Sequence, residues 1–272
     1  MTRWLVIGAG AAGCVIAARL SERTDHQVTV LEAGPDHGPG HAATDVGLFL
    51  DDPGRSHGGV SVVRAAGRAP EHYWQGRGLG GSSLLNGPVL AVDPADADVE
   101  HLLPMEAPRS LGPVGAAVAA ADRRAAPVVL SRRDGCRVSA ADAYLRPALG
   151  RSNLTVVTDS PVAALVVEGR VVRGAVTTAG ATHLADRVVV CAGALATPAL
   201  LLTSGIDTPG VGEGLQDHPA IAVTLELAPG SINPAAPNIT VAIDAAGTQI
   251  LALNHLPGAP GFGSLVGAVM TP

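Results

Sequence analysis

The chain has 272 residues, a formal net charge of −6 and 47% hydrophobic residues, which is enough to bury a large core and excludes a disordered chain. Its pI is near 5.8 and its arginines are scattered, so the sequence predicts no nucleic-acid face. No apolar run reaches the roughly 18 residues of a membrane span. The three cysteines form no paired motif, which favours free thiols. We therefore expect a soluble cytoplasmic protein without a transmembrane segment.

The first 32 residues predict one βαβ unit of a parallel sheet. Residues 4–7 are a continuous apolar run, and residues 14–22 place helix formers at helical spacing. Between them lies a glycine turn, residues 8–13, with the order Gly-Ala-Gly-Ala-Ala-Gly. Residues 27–32 predict a second buried strand that runs parallel to the first.

The glycine turn has the spacing of a dinucleotide site. Gly8 makes the turn, Gly10 lets the backbone approach a pyrophosphate, and Gly13 lets the helix pack closely on the strand. Glu32 follows at the end of the next strand, where a carboxylate hydrogen-bonds a ribose hydroxyl and disfavours a 2′-phosphate. The pattern indicates an adenine dinucleotide; the alternative is a glycine-rich turn that holds no ligand.

Further along the chain, loops and strands alternate. Residues 33–70 are rich in Gly, Pro, His and Asp and predict surface loops. Residues 154–192 are expected to complete the sheet that begins at residue 4, and the alternating pattern after Pro219 predicts antiparallel strands. The predicted helices are 114–124 and 140–145, and the predicted strands are 153–157, 162–167, 171–178, 182–184, 187–192, 220–227, 239–243 and 249–254.

A second glycine-rich segment, residues 76–87, has the sequence Gly-Arg-Gly-Leu-Gly-Gly-Ser-Ser-Leu-Leu-Asn-Gly. Such a segment can present backbone N–H groups to a polar ligand. From its residues alone, a flexible surface loop is an equally good interpretation.

Three segments resemble those of the glucose-methanol-choline (GMC) oxidoreductases. Residues 76–86 resemble the first signature of that family, residues 190–206 the second, and residues 211–219 a third typical stretch. The resemblance implies an α/β fold: a Rossmann-like FAD-binding domain with a parallel central sheet and a β-meander, plus the start of an antiparallel substrate-domain sheet. The implied domains are 1–218, with loop insertions 33–70 and 91–138, and an incomplete substrate-binding domain, 219–272.

The resemblance also implies that FAD lies extended across the sheet. The pyrophosphate is then expected at the glycine turn, the ribose at Glu32, the adenine at the backbone of Val162, and the flavin beside residues 78–89. The implied cofactor-binding residues are Gly8, Gly10, Ala12, Gly13, Glu32, Ala33, Gly78, Gly81, Ser82, Asn86, Val89, Val162, Ala192 and Gly193.

The activity implied by the resemblance is oxidation of a CH–OH group, in which a base takes the hydroxyl proton and hydride passes to flavin N5. The base of that family is a histidine far toward the C-terminus, so we expect this chain to be truncated before it and poorly active by itself. His218 is the one histidine inside a family motif and is the candidate substitute. The expected partners are a small alcohol and an electron acceptor of unknown identity.

No metal site is expected, because Gly and Pro between His37 and His41 prevent a shared helical face.

Several alternatives for the function stay open. A non-catalytic FAD-binding remnant would retain flavin without turnover. The short connection between Asn86 and Ser139 also fits the mycofactocin-linked branch, which exchanges electrons with a peptide-derived carrier. An amine oxidase or ketosteroid dehydrogenase relative would share only the dinucleotide fold.

Overall fold

A computed structural model of the chain describes residues 1–39, 53–63, 65, 67–90, 104–233, 237–245, 248–256 and 261–269. The strands, in chain order, are β1 Thr2–Ile7, β2 His26–Leu31, β3 Ser61–Val62, β4 Glu71–His72, β5 Val89–Leu90, β6 Met105–Glu106, β7 Ala125–Pro127, β8 Val129–Arg133, β9 Cys136–Arg137, β10 Leu154–Val157, β11 Val162–Glu168, β12 Val171–Thr177, β13 Thr182–Leu184, β14 Arg187–Val190, β15 Ala220–Glu226, β16 Ile239–Ala245, β17 Thr248–Leu253 and β18 Phe262–Val269. The helices are α1 Ala11–Leu20, α2 Gly112–Ala121, α3 Arg146–Ala148 and α4 Gly193–Thr203, with a π-helical segment Ala141–Leu145 before α3 and 3₁₀ turns Pro53–Arg55, Gly81–Leu84 and Pro229–Ser231. The predicted loops 33–70 and 91–138 lie partly outside the described residues, as does His41.

Two compact units divide the chain. The first unit comprises residues 1–39, 51–85 and 139–215, and the second comprises residues 40–50, 86–138 and 216–272. Residues 104–138 of the second unit group with the C-terminal strands.

A four-stranded parallel sheet forms the centre of the first unit, in the order β10-β2-β1-β14. Val6 of β1 lies opposite Val30 of β2 on one side and Val189 of β14 on the other. Strands covered on both faces read as continuous runs of branched apolar residues, as these do. The predicted βαβ unit and the parallel sheet are confirmed.

The two faces of this sheet carry different layers. Val6 packs on the side of α1 and the π-helical segment, in a cluster that includes Ala17 and Leu145. On the opposite face, Leu5 of β1 packs in a cluster with Leu165 of β11 and Leu200 of α4. The unit is therefore a parallel sheet between a helical layer and a second layer of strands and helix.

The β-meander expected within residues 154–192 is confirmed, but its strands do not join the central sheet. Strands β10 and β14 do join it, while β11, β12 and β13 form a separate three-stranded antiparallel sheet. Tight hairpins explain the difference, because Gly169 and Gly180 have φ of +62° and +84° in the two connections. Strands joined by such short turns must run antiparallel and cannot enter a parallel sheet in sequence.

The second unit is built mainly from antiparallel strands. Its five-stranded sheet has the order β15-β18-β17-β16-β7, and a smaller sheet contains β5, β8, β6 and β9. Helix α2 packs on the larger sheet through Val114, which contacts Val241 and Ala252 in one buried cluster. The predicted antiparallel sheet is confirmed, and β7 and β18 are additions to it.

None of the helices in the described part of the chain is long and apolar enough to cross a membrane.

Strand β15 is an exposed apolar edge. Ile221 is 75% exposed and Val223 is 54% exposed, and among the described strands β15 pairs only with β18. An edge strand of this kind presents unpaired backbone groups and apolar side chains to other chains.

We expect the double substitution Ile221→Lys, Val223→Lys to reduce self-association of the purified chain, because two charges oppose pairing along the edge. Light scattering across a concentration series measures the effect. Leu202→Lys, which changes an exposed leucine on helix α4 in the same way, is the control. Unchanged association of the double variant relative to this control would show that β15 is not the adhesive surface.

Candidate cofactor site

The candidate site lies in the first unit, at the carboxyl ends of β1 and β14. Ile7 lies opposite Val190 in the parallel register, so the turns that follow the two strands are adjacent. Helix α1 begins directly after one turn and helix α4 after the other. Carboxyl ends of parallel strands and helix N-termini are favoured places for phosphate groups.

Glycine stands at the three positions of the turn for different physical reasons. Gly8 has φ of +94°, and a Cβ there would lie 2.5 Å from the Cys191 carbonyl oxygen. A Cβ on Gly13 would lie 1.9 Å from the Gly8 carbonyl oxygen. A Cβ on Gly10 would meet only the Cys191 oxygen, at 4.0 Å. Packing of the chain itself therefore requires glycine at positions 8 and 13 but leaves room at position 10.

Glu32 is buried beside this turn and accepts three backbone hydrogen bonds. Glu32 is only 5% exposed. Oε2 accepts the N–H of Ala9 at 2.7 Å, while Oε1 accepts those of Gly34 at 2.9 Å and Gly78 at 3.1 Å. One carboxylate thus joins the glycine turn, the segment after β2 and the second glycine-rich segment.

These bonds leave the Glu32 carboxylate able to bind a further donor. Two carboxylate oxygens together offer about four acceptor positions, of which three are used. A ribose hydroxyl is a suitable fourth donor. The sequence predicted only this ribose role, whereas the structure adds the backbone role; Gly78 lies 46 residues away, and no local pattern announces the contact.

The second glycine-rich segment packs directly against the glycine turn. We call residues 76–84 the glycine-rich loop. The N–H of Gly80 donates to the carbonyl of Ala9 at 2.8 Å, and a Cβ on Gly81 would lie 2.7 Å from Gly10 Cα. The loop needs its glycines because its backbone rests directly on the glycine turn.

Ser82 and Gly78 fix the shape of the loop itself. The N–H of Gly76 donates to Ser82 Oγ at 3.1 Å, which closes the loop on its own start. Gly78 has φ of +119°, and a Cβ there would lie 2.6 Å from the Pro35 carbonyl oxygen. Both residues therefore stabilise the loop from within the chain.

The segment before β11 is bonded to the segment after β2. The N–H of Ser160 donates to the Glu32 carbonyl at 2.8 Å, and that of Asp159 donates to the Gly34 carbonyl at 3.0 Å. Val162, expected at the adenine, is the first residue of β11 and is half-buried. The expected ribose and adenine residues thus occupy one region of the first unit.

Arg77 is a residue of this region that the sequence reasoning missed. Its guanidinium donates to the carbonyl of Ala33 at 3.0 Å and lies 3.8 Å from the Asp159 carboxylate. It sits between two glycines of the glycine-rich loop, so its position in the motif was a usable signal. Arg77 ties the loop to the segment that also contains Glu32.

The other expected residues lie at the helix starts. Ala12 is exposed in the first turn of α1. Ala192 is the N-cap of α4, and Gly193 is the first residue of that helix, with φ of +81° and no atom within 4 Å of an added Cβ.

Asn86 and Val89, expected next to the flavin, belong to the second unit. The Arg137 guanidinium donates to the Asn86 carbonyl, and Arg137 is almost completely buried. Val89 starts β5 and lies opposite Leu130 of β8. The hairpin of β8 and β9 therefore holds this segment.

His218 is open to solvent. Its side chain is 56% exposed, and its Nε2 lies 4.0 Å from Asp217 Oδ1. His37 instead forms a hydrogen bond through Nε2 with the Arg77 carbonyl, at 2.9 Å. No group of His, Cys, Asp and Glu side chains among the described residues could hold a metal ion.

The cysteines are free thiols. Cys14 is buried in α1, and burial raises the pKa of its thiol to about 12. Burial also raises the pKa of Cys191, the residue after β14. A thiol held in its protonated form is a poor nucleophile, so neither residue supplies nucleophilic chemistry to the site.

Two family profiles match the chain. Residues 115–220 match the family described as GMC oxidoreductase, and residues 6–67 match an NAD(P)-binding Rossmann-like domain. The family resemblance seen in the sequence is confirmed, which sets aside a relationship limited to the dinucleotide fold.

Individual relatives agree with these matches. A GMC-type oxidoreductase of Rhodococcus erythropolis is 28% identical and aligns with 98% of this chain and 70% of its own length. Human mitochondrial choline dehydrogenase is 29% identical over 79% of this chain and 50% of its own length. The crystal structure of pyridoxine 4-oxidase from Mesorbium loti has 25% identity and a TM-score of 0.75, covering 100% of this chain and 72% of that chain. This chain thus spans only part of these relatives.

We expect Glu32→Ala to lower the free energy of unfolding by about 3 kcal/mol, because three backbone donors lose a charged acceptor inside the protein. Glu32→Gln retains one acceptor oxygen and is expected to cost less. Chemical denaturation without added ligand, followed by circular dichroism, measures both effects.

Glu22→Ala provides the matched control, because Glu22 is an exposed carboxylate paired with Arg19 and a change there is expected to stay within about 0.5 kcal/mol. Equal stability of the Glu32→Ala and Glu22→Ala variants would contradict a structural role for Glu32.

Proposed function

The chain carries the N-terminal region of the GMC oxidoreductases, and on this basis we propose that it binds FAD and is part of an enzyme that oxidises the CH–OH group of a small alcohol. The observation that carries the proposal is the glycine turn at the carboxyl end of β1, with the buried Glu32 carboxylate directly beside it. Choline dehydrogenase, a relative by sequence, and pyridoxine 4-oxidase, a similar solved structure, support an oxidoreductase.

The residues of the first unit suit the parts of FAD. The first-turn N–H groups of α1 lack partners within the helix and are suited to the pyrophosphate. The Glu32 carboxylate retains an acceptor position for the ribose, and its negative charge would repel a 2′-phosphate. Residues 159–162 are proposed to contact the adenine. Bound FAD would supply a hydride acceptor, N5 of the flavin ring.

Gly10 distinguishes a ligand site from a turn that merely packs well. A Cβ at this position has room within the chain, so a requirement for glycine there must come from a bound group that approaches the backbone. The pyrophosphate of FAD is the group we propose. The same reasoning does not apply to Gly8 or Gly13, where packing alone demands glycine.

We expect Gly10→Val to abolish flavin retention while leaving the unfolding transition of the ligand-free protein unchanged. The visible absorption band of the purified protein measures bound flavin. Gly150→Val is the matched control, because Gly150 also has open space around an added Cβ but lies outside the turn. A Gly10→Val protein that keeps a flavin band equal to wild type would exclude this pyrophosphate site.

The alcohol reaction needs a proton acceptor near the reacting carbon. A general base contributes about 10²–10⁴ in rate. His218 is exposed beside Asp217, and such an exposed side chain is not positioned by its surroundings. We therefore propose that His218 has a structural part in its motif and does not act as the base.

We expect anaerobic addition of an alcohol from a panel of primary alcohols, sugars, sterols and choline to bleach the bound flavin only slowly, because His218 does not supply the base. His218→Ala is expected to change the bleaching rate by less than about twofold, far below the loss that follows removal of a general base. A hundredfold loss would assign the base to His218. Retained flavin that no alcohol bleaches would replace the enzyme proposal with a non-catalytic FAD-binding protein.

The electron acceptor separates the oxidase and dehydrogenase versions of the proposal. Oxygen consumption during turnover would indicate an oxidase. Turnover that requires an added carrier would indicate a dehydrogenase, and the mycofactocin-linked branch would use a peptide-derived one.

A further inference from the structure

Arg146 joins two carboxylates that are far apart in the sequence. Its Nη1 donates to Asp36 Oδ2 at 3.0 Å, and its Nη2 donates to Asp36 Oδ1, so the guanidinium makes a bidentate contact with this carboxylate. Its Nε donates to Asp142 Oδ1 at 3.0 Å. The Arg146 side chain is only 17% exposed. We call these three residues the clamp.

One end of the clamp is bonded to the glycine-rich loop. Asp142 Oδ2 accepts the N–H of Ser139 at 3.0 Å and its hydroxyl at 2.7 Å. The next residue, Ala140, donates its N–H to Ser83 Oγ at 3.0 Å. The Ser83 hydroxyl in turn donates to the Gly80 carbonyl at 2.6 Å. The start of the helical segment is therefore attached to the loop.

The other end of the clamp is bonded to the same loop from the opposite flank. The N–H of Leu79 donates to the carbonyl of Pro35, at 3.2 Å, next to Asp36. His37 Nε2 bonds to the Arg77 carbonyl at 2.9 Å. Residues 35–37 thus hold one side of the loop while Ser83 holds the other. Arg146 closes this ring of contacts.

The charges of the clamp reinforce one another. The hydrogen bonds from Arg146 hold the pKa of Asp36 below its ordinary value. A two-pronged contact between guanidinium and carboxylate is among the stronger pairings in proteins. Exposed ion pairs contribute little, but Arg146 and Asp142 are both mostly buried, so removal of the guanidinium leaves a carboxylate without its counterion.

We propose that Arg146 is a positioning residue that sets the rate at which FAD leaves the site, by keeping the glycine-rich loop closed on the glycine turn. The inference depends on the proposed function, because it requires FAD at that turn. Gly81 of the loop packs against Gly10 of the turn. A loop with fewer anchors opens more often, and FAD bound beside it then dissociates faster.

The test compares the dissociation rate of FAD from the wild-type protein with that from Arg146→Met, using flavin fluorescence after dilution. The variant is expected to release FAD about tenfold faster, which corresponds to about 1.4 kcal/mol. Asp36→Asn removes the charge on the other side of the same contact and is also expected to speed FAD release. A variant that carries both substitutions is expected to release FAD little faster than Arg146→Met alone. Arg146→Lys keeps the charge without the two-pronged contact and is expected to fall between.

Asn153→Ala is the control for a merely structural effect. Its side chain donates to the carbonyls of Ser21, Arg23 and His26, at the end of the sheet opposite the glycine turn. This variant is expected to lower the melting temperature without faster FAD release.

Three outcomes of the comparison are decisive. If Asn153→Ala and Arg146→Met both release FAD faster in proportion to their loss of melting temperature, the inference is overturned. An unchanged release rate in both Arg146→Met and Asp36→Asn would also overturn it while leaving the proposed function intact. A wild-type protein that binds no FAD would instead refute the proposed function.

Discussion

The cofactor end of the first unit depends on one buried carboxylate. The Glu32 carboxylate accepts hydrogen bonds from the backbone N–H groups of three segments, at Ala9, Gly34 and Gly78. A buried carboxylate is costly unless donors surround it, and here the donors are backbone groups that would themselves be costly to leave unpaired. The charge and the loops therefore stabilise each other, so neither arrangement is stable alone.

Close backbone packing follows from this constraint. For three loops to reach one carboxylate, their backbones must approach nearer than side chains allow, and the glycines at positions 13, 34, 76 and 81 sit where a Cβ would meet backbone within 3 Å. Gly10 is the exception because its Cβ direction is open. The glycines of the two motifs thus divide into those that the fold requires and one whose requirement points to a ligand.

Much of the fold could be predicted from local patterns, and the misses have physical causes. Continuous apolar runs and helix formers located β1, α1 and β2, because a buried parallel strand leaves an unmistakable run. Strand β7 has the sequence Ala-Ala-Pro, which carries no strand pattern, so only its pairing with β16 defines it. For the candidate site, motif spacing identified Glu32 and its neighbourhood. The motif position of Arg77 was a local signal, but the contacts of Arg77 and Arg146 span 44 and 110 residues, and no local pattern encodes those partners.

The same contacts explain how a site can hold an acidic residue next to an expected pyrophosphate. Like charges in a partly buried site repel strongly, so each needs its own donors. Glu32 takes N–H groups from Ala9, Gly34 and Gly78, all of which lie outside α1. The first-turn N–H groups of α1, at residues 11–13, belong to the helix terminus and carry its positive end. Because loop amides stabilise the carboxylate, the first-turn N–H groups of α1 are not used by it and remain available to a phosphate.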